Sequence, residues 1–158
     1  MLAKIGKVTH INNNKDKKTV FIGKFYYKLQ DNGRVSLPKK FRQEQEKWVV
    51  TRGLDGCLFV FKAEQFSQEL EKLASRSFTK KAHRDLIRIM SNEAQELEAD
   101  KSGRVQLPEY LTKLAQLEKE IVIVGSFNRI EIWDQEKYHA YVSQLEDKAE
   151  IIAESIQE

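Results

Sequence analysis

Asn32-Gly33-Arg34-Val35-Ser36-Leu37-Pro38 recurs seventy residues later as Ser102-Gly103-Arg104-Val105-Gln106-Leu107-Pro108, with five of the seven positions identical. Downstream, Gly53-Leu54-Asp55-Gly56-Cys57-Leu58-Phe59-Val60-Phe61 lines up with Gly125-Ser126-Phe127-Asn128-Arg129-Ile130-Glu131-Ile132-Trp133 at an offset of 72, so about two residues are inserted in the second copy. Glu64 and Phe66 then match Glu136 and Tyr138. Order kept over about 40 residues marks an internal duplication.

Each copy reads the same way locally. Lys24–Gln30 is aromatic-rich and strand-like, and Leu97 leads into its counterpart. Asp31-Asn32-Gly33 and Asp100-Lys101-Ser102-Gly103 are turns, with glycine supplying the positive φ of a tight hairpin. Arg34–Leu37 and Arg104–Leu107 are expected as return strands, and Pro38 and Pro108 as first residues of short helices. Trp48–Thr51 with Cys57–Phe61, and Ile121–Val124 with Arg129–Trp133, supply two further strands per copy. Phe66, Leu70 and Leu73, then Leu86, Ile87 and Met90, have helical spacing, so Ala63–Asn92 reads as two helices. The tail repeats the pattern through Tyr138, Tyr141, Val142, Leu145, Ala149 and Ile152, with acids on the opposite face.

The expected segments are an N-terminal extension over 1–20, repeat one over 21–67, a helical connector over 68–93, repeat two over 94–138 and a C-terminal helix over 139–158. A unit of about 40 residues rarely buries a sufficient core alone. One cysteine, Cys57, allows no internal disulfide, and no Cys/His cluster has metal-ligand spacing. The stabilising partner is therefore expected to be the other copy, interleaved with the first. With 41% hydrophobic and 32% charged residues in 158, the chain has a globular composition. No segment approaches the roughly 20 apolar residues of a membrane span. A cytoplasmic, nucleoid-associated protein without cofactor is expected.

Charge is unevenly placed. Over 24–62 nine basic residues face four acids, whereas over 94–133 five face seven. Positive charge thus gathers in copy one, where a polyanion is attracted. A two-stranded ribbon fits the DNA major groove, and an arginine beside its turn can bond a guanine bidentately or clamp a phosphate. Arg34 is the first candidate reader. Lys39, Lys40 and Arg42 are candidate backbone contacts that set register. In copy two the matching stretch is Glu109-Tyr110-Leu111, so Arg104 and Lys101 are expected as auxiliary contacts.

These motifs, with Phe21-Ile22-Gly23-Lys24-Phe25, Pro38-Lys39-Lys40-Phe41-Arg42 and Thr51–Val60, make the chain similar to the MraZ family, within the AbrB-like swapped-hairpin class. The similarity runs from about Phe21 to Tyr138. It implies an α+β fold with a mainly β core: two tandem AbrB-like swapped-hairpin repeats of βαβ type forming a pseudo-dimeric barrel, with connecting and C-terminal helices. It also implies a ring-like homo-oligomer that binds double-stranded DNA at short repeated promoter boxes. The expected activity is that of a transcriptional regulator, typically a repressor, of the division and cell-wall gene cluster. The family pattern Asp-x-x-x-Arg is kept as Asp100 and Arg104. Copy one departs from it, since Gln30 stands in the acid's place and Asp31 lies one residue on. The acid's implied role is to orient the arginine; Gly33 and Gly103 complete the turns.

Residues 1–20 lie outside the resemblance and carry Lys4, Lys7, Lys15, Lys17 and Lys18 against Asp16. They read as a basic arm, an extension without a role, or the product of a start placed upstream of Val20; the last two readings are preferred. Competing functions are a non-sequence-specific nucleoid or scaffold protein, an RNA binder stacking bases on Phe25, Tyr26 and Tyr27, and an enzyme. His10, His83 and His139 fall in unrelated segments and Cys57 sits in an expected strand, which argues against the enzyme.

Overall fold

A computed structural model describes residues 19–42 and 47–156. The expected basic arm, up to residue 18, lies outside the described residues, as do tail residues 157–158. Among the described residues the strands are β1 (Phe21–Lys28), β2 (Arg34–Ser36), β3 (Lys47–Arg52), β4 (Leu58–Lys62), β5 (Gln95–Glu98), β6 (Arg104–Gln106), β7 (Glu120–Phe127) and β8 (Ile130–Asp134). Helices α1 (Ala63–Ser75) and α2 (Lys81–Asn92) join β4 to β5. Helix α3 (Glu109–Leu114) follows β6, and α4 (Gln135–Glu146) and α5 (Ala149–Ser155) follow β8. The fold is α+β with a sheet core.

Six strands form one antiparallel sheet in the order β1-β7-β8-β4-β3-β5, and β2 and β6 form a separate two-stranded ribbon. Exchange β1 for β5, β3 for β7 and β4 for β8, and the order reads the same from the other end. The first strands of each copy therefore pair with strands of the other: β1 runs along β7, β5 along β3 and β2 along β6.

The sheet is apolar on both faces because both are covered. Ile121 and Ile123 point inward with Trp48, Val50, Leu58 and Val60, beneath the ribbon and Leu37, Leu107 and Leu111. Val122 and Val124 point outward with Phe59, Phe61 and Trp133, beneath α1, α2 and α4. This two-sided burial is why Ile121–Val124 is an unbroken apolar run rather than an alternating one.

Three expectations are corrected. Arg34–Leu37 does not return onto β1. A hairpin there would extend the large sheet at its edge and carry Val35 and Leu37 away from the interior. Against β6, Val35 faces Val105, and both are buried. The prolines stand one residue earlier than expected: Pro38 and Pro108 have extended ψ values of 137° and 139° and precede their helices. Their fixed φ serves the end of a strand as well as the start of a helix. The tail is broken, with Lys148 at φ −120° separating α4 from α5.

Strand register also shifts one sequence match. Arg52 lies opposite Leu58, and Gly125 opposite Ile130, so Gly125 holds the place of Arg52 rather than that of Gly53. The hairpin loops differ in length, and Gly53 N–H bonds Cys57 (2.8 Å) where Ser126 N–H bonds Arg129 (2.9 Å).

Leu37 and Leu107, each about 1% exposed, anchor the ribbon to the sheet from opposite copies. Leu37→Ala and Leu107→Ala should each lower stability by about 2–5 kcal/mol in urea unfolding. A large loss in one and none in the other would contradict the shared core.

Candidate nucleic-acid interface

In an antiparallel pair, opposite residues share a face and successive residues alternate between faces. Arg34 lies opposite Gln106, Val35 opposite Val105, and Ser36 opposite Arg104. The valines enter the core, so Arg34, Ser36, Arg104 and Gln106 share the outward face. The two arginines are diagonal neighbours, with Cα atoms roughly 7–8 Å apart by strand geometry. Ser36 and Gln106 were not singled out from sequence. The Arg-Val-Ser and Arg-Val-Gln alternation was the available signal.

The turns leading into the ribbon share a backbone pattern. Gln30 N–H bonds Arg34 O (2.8 Å) and Asp100 N–H bonds Arg104 O (2.9 Å), so Gln30 does occupy the acid's place. Gly33 and Gly103 take φ of 79° and 76°. Across the copies, Leu37 N–H bonds Gly103 O (3.0 Å) and Leu107 N–H bonds Gly33 O (2.9 Å). Each turn is thus tied to the strand end of the other copy.

The side chains break this symmetry. Asp100 Oδ1 accepts the N–H groups of Ser102 (2.8 Å) and Arg104 (2.9 Å), and its Oδ2 lies 3.3 Å from Arg104 Nε. The Arg104 N–H, followed by that of Ser102 and the guanidinium charge, holds the Asp100 carboxyl below the usual aspartate range. Gln30 makes no equivalent side-chain cap. The Arg34 side chain is exposed, and its guanidinium has no hydrogen-bond or ion-pair partner among the described residues. One arginine is held by its turn, and the other is free.

Arg42 is committed elsewhere. Its Nη1 donates to Ser102 O at 2.7 Å, and a Cβ placed on Gly103 would fall 1.6 Å from that nitrogen. Gly103 therefore makes room for a guanidinium lying on the second turn. The matching position in copy two is Thr112, whose methyl group lies 3.8 Å from a Cβ placed on Gly33. Lys39 and Lys40, both exposed, form the turn that ends at Arg42.

Each end of the ribbon is consequently built from both copies. One end joins Lys39, Lys40 and Arg42 of copy one to Lys101 and Arg104 of copy two. The other joins Arg34 and Asp31 to the Gln106–Thr112 stretch, beside a groove bordered by Glu96, Glu98 and Glu109. Charge that the sequence assigned to copy one is delivered by the fold to the turn of copy two. Asp31 and Lys101 are exposed.

The Cys57 thiol is buried, donates to Leu54 O at 3.2 Å and is pushed up in pKa by that burial, the opposite of an activated nucleophile. No group of three potential metal-ligating residues gathers among the described residues, and no helix there is long and apolar enough to cross a membrane.

Gly103→Ala should cost about 1–2 kcal/mol through its left-handed φ and should dislodge Arg42. In a double-mutant cycle, Arg42→Ala should then cost less in the Gly103→Ala background than alone. Strict additivity would show that the guanidinium does not depend on the glycine. The Asp100 carboxyl titrates below its unfolded value, so its contribution is present above that value and is lost as pH falls through the folded one. Urea midpoints should therefore decline more steeply below about pH 4 in the wild type than in Asp100→Asn.

The family model described as MraZ protein matches twice, over residues 20–89 and again over residues 90–157. Together the two matches span nearly the whole chain, one to each copy of the repeat. The chain belongs to the MraZ family, whose members are regulators rather than enzymes.

Proposed function

We propose that this protein is a sequence-specific DNA-binding transcriptional repressor that reads double-stranded DNA with the β2–β6 ribbon. Two tandem AbrB-like swapped-hairpin repeats form a pseudo-dimeric barrel, and the ribbon is the seam at which they meet. The observation that carries the reading is the outward face of that seam. Arg34, Ser36, Arg104 and Gln106 project from it while Val35 and Val105 anchor it below.

The face combines two kinds of contact. The Arg34 guanidinium, unpartnered among the described residues, is free to reach a base edge, and Arg104 is presented by Asp100 in a set orientation. Lys39, Lys40 and Lys101 cluster at one end, where they suit phosphates and set register. The acidic groove at the other end repels a duplex, so the DNA lies across the ribbon face and toward the lysine-rich end. As in the family it belongs to, the protein acts as a ring-like homo-oligomer on repeated promoter boxes of the division and cell-wall gene cluster.

Arg34→Ala should weaken binding to the specific box by about 1–3 kcal/mol and relax sequence choice, read by fluorescence anisotropy on matched and scrambled duplexes. Lys39→Ala or Lys40→Ala should weaken both duplexes alike and reduce the salt slope by about 0.9 per lost phosphate contact. Equal affinity of the wild type for matched and scrambled DNA would favour a non-sequence-specific nucleoid or scaffold role. Unchanged affinity in all three variants would remove the ribbon as the binding face.

A further inference from the structure

The duplication offers an internal comparison for the outer face of the sheet. In copy one that face is closed by two helices. Phe66 and Leu70 of α1 and Leu86 and Met90 of α2 pack on Phe59 and Phe61, and Thr51 Oγ1 donates to Met90 O at 2.8 Å. In copy two, α4 takes the place of α1, with Tyr138 and Tyr141 against Trp133 at ring separations of 5.8 and 5.1 Å. Among the described residues nothing takes the place of α2. A groove of about 350 Å³ remains there, bounded by Gly23, Lys24, Val124, Gly125, Val142 and Leu145.

The helix that corresponds to α2 in chain order is α5, near whose end the second family match stops. It does not return onto the sheet. Every residue from 143 to 156 is exposed, including Ile151 (66%), Ile152 (40%) and Ile156 (70%). The linkers account for the difference. Five residues, 76–80, let α2 reverse over α1, whereas only Asp147 and Lys148 separate α5 from α4. Lys148 N–H bonds Leu145 O (3.0 Å) and Lys148 O accepts from Ile152 (2.8 Å), carrying the chain onward past the end of α4.

We propose that α5 of one subunit docks in the α4–β7–β1 groove of a second copy of this chain, supplying the cover that α2 supplies within copy one. Ile152 of α5 and Ile156, the extended residue that caps its end, enter the groove beside Val142 and Leu145. α5 carries Glu150 and Glu154; at the groove, Lys24 has no carboxylate partner among the described residues and lies 5.8 Å over the Tyr138 ring, while Glu131, the acid of the lining, is held by Arg129 at 2.7 Å. A helix on one subunit and a groove on the next are different patches, which a head-to-tail arrangement joins without reciprocity and closes into a ring when the rotation permits. The inference deepens the ring-like assembly proposed above by naming the surfaces that join its subunits.

The test uses the full chain. Sedimentation gives the mass of the wild type and of an Ile152→Glu, Ile156→Glu variant. The variant should fall to the monomer with unchanged circular dichroism. A monomeric wild type would overturn the ring reading itself, whereas an oligomer indifferent to the substitutions would overturn only the α5 contact. Oxidation of Ser126→Cys with Ile152→Cys, in a Cys57→Ser background, should then give a ladder of linked chains on a non-reducing gel. Closure within single chains, or no linkage in a particle that remains oligomeric, would overturn the proposal. So would a change in Trp133 fluorescence on deletion of residues 2–18 but not on the isoleucine substitutions, which would assign the groove to the chain's own N-terminal residues.

Discussion

Everything in this fold hangs on the pairing of two three-residue strands, β2 and β6, which lie far apart in sequence. Neither could hold its place alone, because so short a strand offers few ladder hydrogen bonds and one inward side chain. Together they bury Val35 against Val105 and bring Leu37 and Leu107 over the same core, at roughly 1.5–3 kcal/mol for each fully buried side chain. Their reciprocal bonds to Gly103 O and Gly33 O tie each turn to the other copy. Remove the pairing and the inner face of the six-stranded sheet loses its lid, while α3 and the Lys39–Phe41 turn lose the strand ends they stand on.

The same pairing decides what the surface can do. A hairpin local to one copy would keep Arg34 and Lys39–Arg42 together as one basic patch. Crossing instead sends the lysines to the turn that holds Arg104, and leaves Arg34 beside the acidic border of Glu96, Glu98 and Glu109. The contrast between an arginine fixed by Asp100 and one left free beside Gln30 follows from the acid's replacement in turns that share their glycine, their arginine and their backbone hydrogen bonds.

Much of this was legible in the chain. The Gly-Arg-Val-x-Leu-Pro duplication announced two related units, apolar runs located the paired strands β3, β4, β7 and β8, and helical spacing located α1 and α2. The partner of β2 was not legible, because three alternating residues look alike whichever strand they meet. Only burial in the assembled core separates the possibilities. The position of Arg42 was hidden for a related reason. As a charge near other charges it read as a phosphate contact, whereas its actual neighbour, the open space over Gly103, exists only once the copies have crossed. The break at Lys148 and the one-residue offset between Gly53 and Gly125 reflect loop geometry, which apolar periodicity does not report.

Arg42 over Gly103 and Thr112 over Gly33 occupy equivalent places with unlike side chains. In an assembly of two separate identical chains, any residue chosen for one side is imposed on the other, and dilution pulls the halves apart. Covalent linkage through α1 and α2 lifts both constraints. Effective concentration is set by the tether rather than by the cell, and the two halves are free to diverge, one keeping a rigid arginine and the other a loose one, without losing the partner that lets either fold.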